Sequence, residues 1–203
     1  MRYEFLVDTY ATERLKVLSV WSMFEDDDLD RRPGAGDPRS RSLREHMVHQ
    51  CAGEDAWFRN MLGIDVEAPP LPSEESRLGF LRRYAEDSEK RRRALSEPSE
   101  DWWERPVAFF EVERNRAWVL TRRIAHTAHH RGQQTALLRQ LGRPVWSTYG
   151  PTADTGGLPA NGAAAILYPY ADVAELLAGE AAGGRKTSLP GPGPLPLTER
   201  PSA

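Results

Sequence analysis

Five histidines in this 203-residue chain fall into two groups. His46 and His49 form one, and His126, His129 and His130 the other. A neutral imidazole offers a lone pair to a divalent first-row cation. His126 and His130 are four residues apart. On a helix that spacing puts both side chains on one face, a turn apart, where two nitrogens can share one ion. A third imidazole from a facing helix completes a three-nitrogen set and leaves positions for water or substrate. His129 is turned about 100° from His130 and stays out of that set. No glutamate follows His126, so the metalloprotease pattern with its general base is absent. A lone pair of histidines four apart can be a coincidence of surface residues. The presence of His on both helices weighs toward a site.

Other groups are weaker candidates. Cys51 is the single cysteine, so no internal disulfide and no cysteine zinc cage can form. On a helix it reads as a small core residue. Arg131 follows a candidate ligand and could meet an anionic substrate, though a surface salt bridge is the plainer reading. Glu54 could orient His49 through the second ring nitrogen, or be a solvated acid. Trp57, Trp102, Trp103 and Trp118 read as core or dimer packing, with some at the mouth of a pocket. Arg91-Arg92-Arg93 and Arg122-Arg123 read as solvated helix faces. The net charge is -3, against the basic surplus of a nucleic-acid binder. No apolar run approaches the roughly 18 residues of a membrane span. The N-terminus meets an acid before any apolar run builds, unlike a secretory signal, so the cytoplasm is the expected compartment.

These residues need elements to hold them. Leu6, Tyr10, Leu15, Leu18 and Trp21 predict a helix over 4–24. Pro33, Gly34, Gly36 and Pro38 mark a loop over 31–41. Ser42 and Glu45 form a capping box for a helix ending at Leu62, before Gly63. That helix's apolar centre, set by Leu43, Met47, Cys51, Phe58 and Met61, lies nearer His46 than His49. Ser73, Glu74 and Glu75 start a third helix through Leu95, with a thin apolar stripe. Residues 99–114 hold a short helical turn or an extended strand. A long helix spans 116–141, stopped by Gly142 and Pro144. Residues 145–170 read as an ordered loop anchored by Trp146, Tyr149, Tyr168 and Tyr170, before a short helix over 171–178. Four substantial helices and no convincing sheet predict an all-α, four-helix bundle with an irregular C-terminal extension. One domain covers 1–183. The Pro- and Gly-rich segment 184–203 reads as a disordered or extended tail.

The segment His126-Thr-Ala-His-His130-Arg-Gly-Gln-Gln-Thr-Ala-Leu-Leu-Arg139-Gln-Leu-Gly142 resembles the last-helix signature of the DinB/YfiT-like family. Ser42-Leu43, His49, Glu54 and Trp57-Phe58 are similar to that family's second-helix pattern, and that spacing selects His49 over His46. The resemblance covers roughly residues 5–145. The stretch from Tyr149 to Gly157 is similar to an extension in one subgroup. The resemblance implies a four-helix bundle, often a homodimer. It implies a divalent metal, nickel or zinc, held by His49, His126 and His130. It also implies kinship to S-transferases and isomerases that use low-molecular-weight thiols such as bacillithiol or mycothiol. Many members of the family have no assigned activity.

The first functional expectation is therefore a thiol-dependent transferase or isomerase that takes a small-molecule substrate, with no nucleic-acid or membrane partner. Three neutral ligands leave the ion's charge uncompensated, so it acidifies a thiol or water at neutral pH. The alternatives are a metal-dependent hydrolase with water as nucleophile, and a non-catalytic, stress-related metal-binding dimer.

Overall fold

The computed structural model describes residues 2–34, 37–193 and 197–199. Four long helices form first: α1 (Glu4–Met23), α2 (Leu43–Trp57), α3 (Arg77–Ser96) and, after α4 (Glu100–Glu104), α5 (Arg116–Gln140). Helix α1 packs on α3 and α5, and α2 packs on the same two helices. Each of the four thus has two neighbours, and the apolar faces close on a common interior.

Local chemistry explains the ends of α2. The Ser42 hydroxyl accepts from the Glu45 N–H, and the Glu45 carboxylate accepts from the Ser42 N–H at 2.8 Å. Such a cap stabilises a helix by about 1 kcal/mol. Beyond Trp57 the helix continues as a π-helical turn, Phe58–Leu62, and Gly63 closes it at φ 70°. Helix α3 starts later than its first acids suggest. Ser76, not Ser73, is the cap, its hydroxyl accepting from the Gly79 N–H. The Glu74 carbonyl folds back so tightly that a Cβ on Gly79 would stand 2.3 Å from it.

Residues 99–114 hold both of the alternatives that their sequence leaves open. Helix α4 is followed by an antiparallel hairpin, β1 (Pro106–Phe109) and β2 (Val112–Asn115), with Phe109 opposite Val112. This two-stranded ribbon is the one sheet among the described residues, and the fold stays all-α in class.

The interior is two apolar clusters. One gathers Val17, Leu18, Trp21, Leu43, Met47 and Phe80 with their neighbours, and the other Leu6, Phe58, Leu62, Leu95, Trp103 and Leu120. Charged residues lie between them. Glu54 accepts from the Tyr10 hydroxyl at 2.5 Å and the Tyr84 hydroxyl at 3.2 Å, and pairs with Arg91 at 3.5 Å and Arg123 at 3.6 Å. Arg91 also reaches Asp55. Both arginines are 1 % exposed, which corrects their reading as solvated. Arg92, Arg93 and Arg122 do reach solvent.

After α5, the extension lies against the bundle. Trp146 and Tyr170 are buried anchors, whereas Tyr149 is exposed. Helix α6 (Val173–Ala181) carries the buried Glu180, which binds Arg77 of α3, the Tyr170 hydroxyl and Lys186. Residues 185–193 run without helix or strand along the extension. The Trp146 indole donates to the Thr187 carbonyl at 2.9 Å, the Thr187 N–H to Pro169 at 2.8 Å, and the Gly191 N–H to Asp154 at 3.0 Å. Residues 194–196 and 200–203 of the expected tail lie outside the described residues. No helix of the described residues is long and apolar enough to cross a membrane.

Candidate metal centre

Helix α5 is a single uninterrupted span, so His126 and His130 stack one turn apart on it as their spacing requires. Their Nε2 atoms lie 3.1 Å apart. Helix α2 brings His49 against both, with ring centroids 5.6 Å from His126 and 4.7 Å from His130. One ligand nitrogen from each of the three falls within 4.8 Å of the other two. Nitrogens that share one ion at about 2.1 Å are separated by roughly 3–3.5 Å, so small rotations suffice to close the set.

The protonation pattern suits a cation. Gln133 donates its amide N–H to His129 and accepts at 2.9 Å from His130 Nδ1, which therefore carries the hydrogen. That leaves the lone pair of His130 on Nε2, facing His126. The Arg123 guanidinium, a donor only, approaches His126 Nδ1 at 3.4 Å. The hydrogen between the two Nε2 atoms then belongs to His126, and for that ring to bind an ion through Nε2 as a neutral imidazole the hydrogen moves to Nδ1 and the Arg123 contact opens. His49 Nε2 is buried with no hydrogen-bond partner, a position that normally destabilises by about 1–3 kcal/mol and that a metal bond would satisfy.

Electrostatics keep these rings neutral. Burial, then the charges of Arg123 and the neighbouring histidines, lower His126 to about 4. Burial lowers His130 to about 4 against the opposing Gln133 hydrogen bond, with His49, His129 and Arg41 adding to the decrease. His49 is lowered by burial, Arg41 and Arg123. Neutral imidazole is the ligand form, so the three residues fit a divalent ion bound by nitrogen alone.

Other candidates go elsewhere. Glu54 does not touch His49; its carboxylate is committed to Tyr10, Tyr84, Arg91 and Arg123. Arg131 is neither at the surface nor free for a substrate, because it is buried against Glu13 and its guanidinium lies 5.4 Å from the Tyr149 ring. Cys51 is in the apolar interior, where burial pushes its thiol far above the usual range. Trp103 is fully buried, Trp118 is partly exposed, and Trp57 lies parallel to His126, 5.9 Å between centroids and 10° between planes. Phe109 and Phe110 meet Trp57 in edge-type contacts, at 5.3 and 6.5 Å between centroids. His46, the residue nearer the apolar centre of α2, is more buried than His49 yet meets the group only edge-on, 5.7 Å from His130. Gln133 and Arg123 are the neighbours that sequence patterning missed. Gln133 sits three residues after His130, a helical reach that could have flagged it.

A family model described as the DinB family matches residues 5–157. No curated protein matches the chain. Among solved structures, a DinB-like protein from Bacillus cereus is similar at a TM-score of 0.61 and 22% identity, over 70% of this chain and 94% of that one. A DinB-like protein from Bacillus subtilis is similar at 0.54 and 14% identity, over 69% and 94%. At these identities the likeness is one of fold.

Proposed function

From the premise that the chain belongs to the DinB family, we propose a metal-dependent protein in which His49, His126 and His130 hold nickel or zinc and a low-molecular-weight thiol is activated for S-transfer or isomerisation. The observation that carries this reading is the three-imidazole cluster, in which His49 Nε2 is buried and has no hydrogen-bond partner. When bound, the ion would act as a Lewis acid that lowers the pKa of a thiol or water beside it. The chain's own part is to present three neutral nitrogens. Gln133 fixes the His130 ring by accepting from Nδ1. Cys51 is sealed in the interior, so the nucleophilic sulfur comes from a cosubstrate. A cytoplasmic homodimer belongs to the same reading.

Elemental analysis tests the centre. The purified parent should hold one nickel or zinc per chain, and His49→Ala, His126→Ala and His130→Ala should each lose most of it. Stoichiometric metal that persists in all three variants would sink the assignment. Turnover that depends on added thiol supports transfer or isomerisation. Turnover with water alone makes the protein a hydrolase, and function intact after metal removal makes it a non-catalytic binder.

A further inference from the structure

A cleft of about 590 Å³ opens between Pro33, residues 38–41 and helices α2 and α5, next to His46. His46 and Gln133 line it, and Gln133 is the residue that holds His130. The cations lining it, Arg39 and Arg41, and those near it, Arg32 and Arg44, are not equivalent. Arg39 is neutralised by a two-pronged pair with Asp37, at 3.0 and 2.9 Å. Arg32 binds Glu45 and the Ser40 carbonyl. Arg44, just beyond, is held by Asp30 and the Glu75 carbonyl. Arg41 has no acid or carbonyl partner among the described residues. Arg41 lines the same cleft as His46 and Gln133. Glu45 is the acid lining the cleft, and it is committed to Arg32 and the Ser42 N–H.

A free guanidinium beside a metal centre of neutral ligands is unfavourable for the metal, because like charges repel. Arg41 therefore does not serve to hold the ion. Its sign suits an anion that would sit between them. His46 supplies the second observation. It is 5 % exposed and lines the cleft, its Nδ1 has no hydrogen-bond partner, and its ring meets His130 edge-on, so it forms a wall shared by the cleft and the histidine cluster.

We propose that this cleft is the oxyanion subsite of the three-histidine centre, where Arg41 and the His46 imidazole receive the carboxylate or phosphate of a small anionic substrate or cosubstrate. The inference rests on the three-histidine reading and narrows its substrate class. Arg41 forms a charge-assisted pair with the oxyanion, and the rest of the molecule reaches across Gln133 toward His130. Because Arg41 is exposed, replacing it leaves the packing of the bundle alone.

Isothermal titration of the full-length protein tests this, metal-free and zinc-loaded, with succinate, inorganic phosphate and the neutral succinamide as probes. The parent should bind succinate or phosphate and ignore succinamide. Whichever of the two binds identifies the source of the oxyanion. Arg41→Gln should weaken that binding about tenfold or more with zinc content unchanged, and His46→Leu should weaken it as well. No anion binding in the parent, equal binding of succinamide, or parent-like affinity in both variants overturns the subsite. Zinc loss in Arg41→Gln also overturns it, since Arg41 would then support the metal. Arg41-dependent anion binding by a parent that takes up no zinc leaves the subsite standing and removes the metal reading instead.

Discussion

A helix face decides which imidazoles can meet; their surroundings decide which keep a free lone pair. His46, His126 and His130 all lie at about 4, against 6.5 in an unfolded chain, chiefly through burial. The folded, metal-free protein therefore binds fewer protons than the unfolded chain between pH 6.5 and about 4. Its stability should fall as pH falls through that window and level off below it. Urea midpoints of metal-free protein from pH 7 to 4 check this, with a shallower decline expected for His126→Gln. A flat midpoint in the parent would contradict the depressed values. Glu54 gives the second prediction at this scale. Glu54→Gln removes the charge that Arg91 and Arg123 share, and should cost about 3 kcal/mol or more in equilibrium unfolding. A change under about 1 kcal/mol would mean that Asp55 and water suffice. Spacing on α5 made His126 and His130 legible in the sequence. His49 was legible only through family resemblance, since periodicity measures burial and so favours His46. Arg91 and Arg123 were illegible, because their acid partners come from another helix.

Among the elements, the four long helices were read to within a few residues, since capping boxes and stop glycines are local signals. The start of α3 was misplaced because Ser73 and Ser76 both look like caps, and only the fold of Glu74 over Gly79 chooses between them. The hairpin was ambiguous for a physical reason. Its two-residue turn begins with Phe110 at φ 53°, where glycine or asparagine is expected. A bulky residue in that region is strained by about 1–2 kcal/mol. The Phe110 side chain is 73 % exposed, so little burial offsets the strain, while its ring meets Trp57 and Phe109. Phe110→Asn should therefore leave stability unchanged or raise it by up to about 1 kcal/mol, read from thermal unfolding. A clear loss would show that the aromatic contacts outweigh the backbone term.

Taken whole, the molecule is a bundle whose interior is divided by a charged layer, with a C-terminal extension strapped to one side. Composition led the reading of residues 184–203 as a tail, because proline and glycine cannot build a core. Those residues can still supply backbone hydrogen bonds, and 185–193 do so at Trp146, Pro169 and Asp154. Deleting residues 185–203 should lower stability by about 2–3 kcal/mol, near 1 for each lost bond, seen as a lower urea midpoint. An unchanged midpoint would make the strap superficial. The extension matters less to the histidines than to the fold, because α2 and α5 alone supply every candidate ligand.

The parallel stacking of Trp57 on His126 has an optical consequence. Light absorbed by that indole is re-emitted within a few ångströms of whatever the imidazoles hold. A closed-shell ion such as zinc leaves the emission bright, whereas open-shell nickel drains it. Were an ion held there, Trp57 would therefore tell an open-shell occupant from a closed-shell one, above the emission of the five other tryptophans.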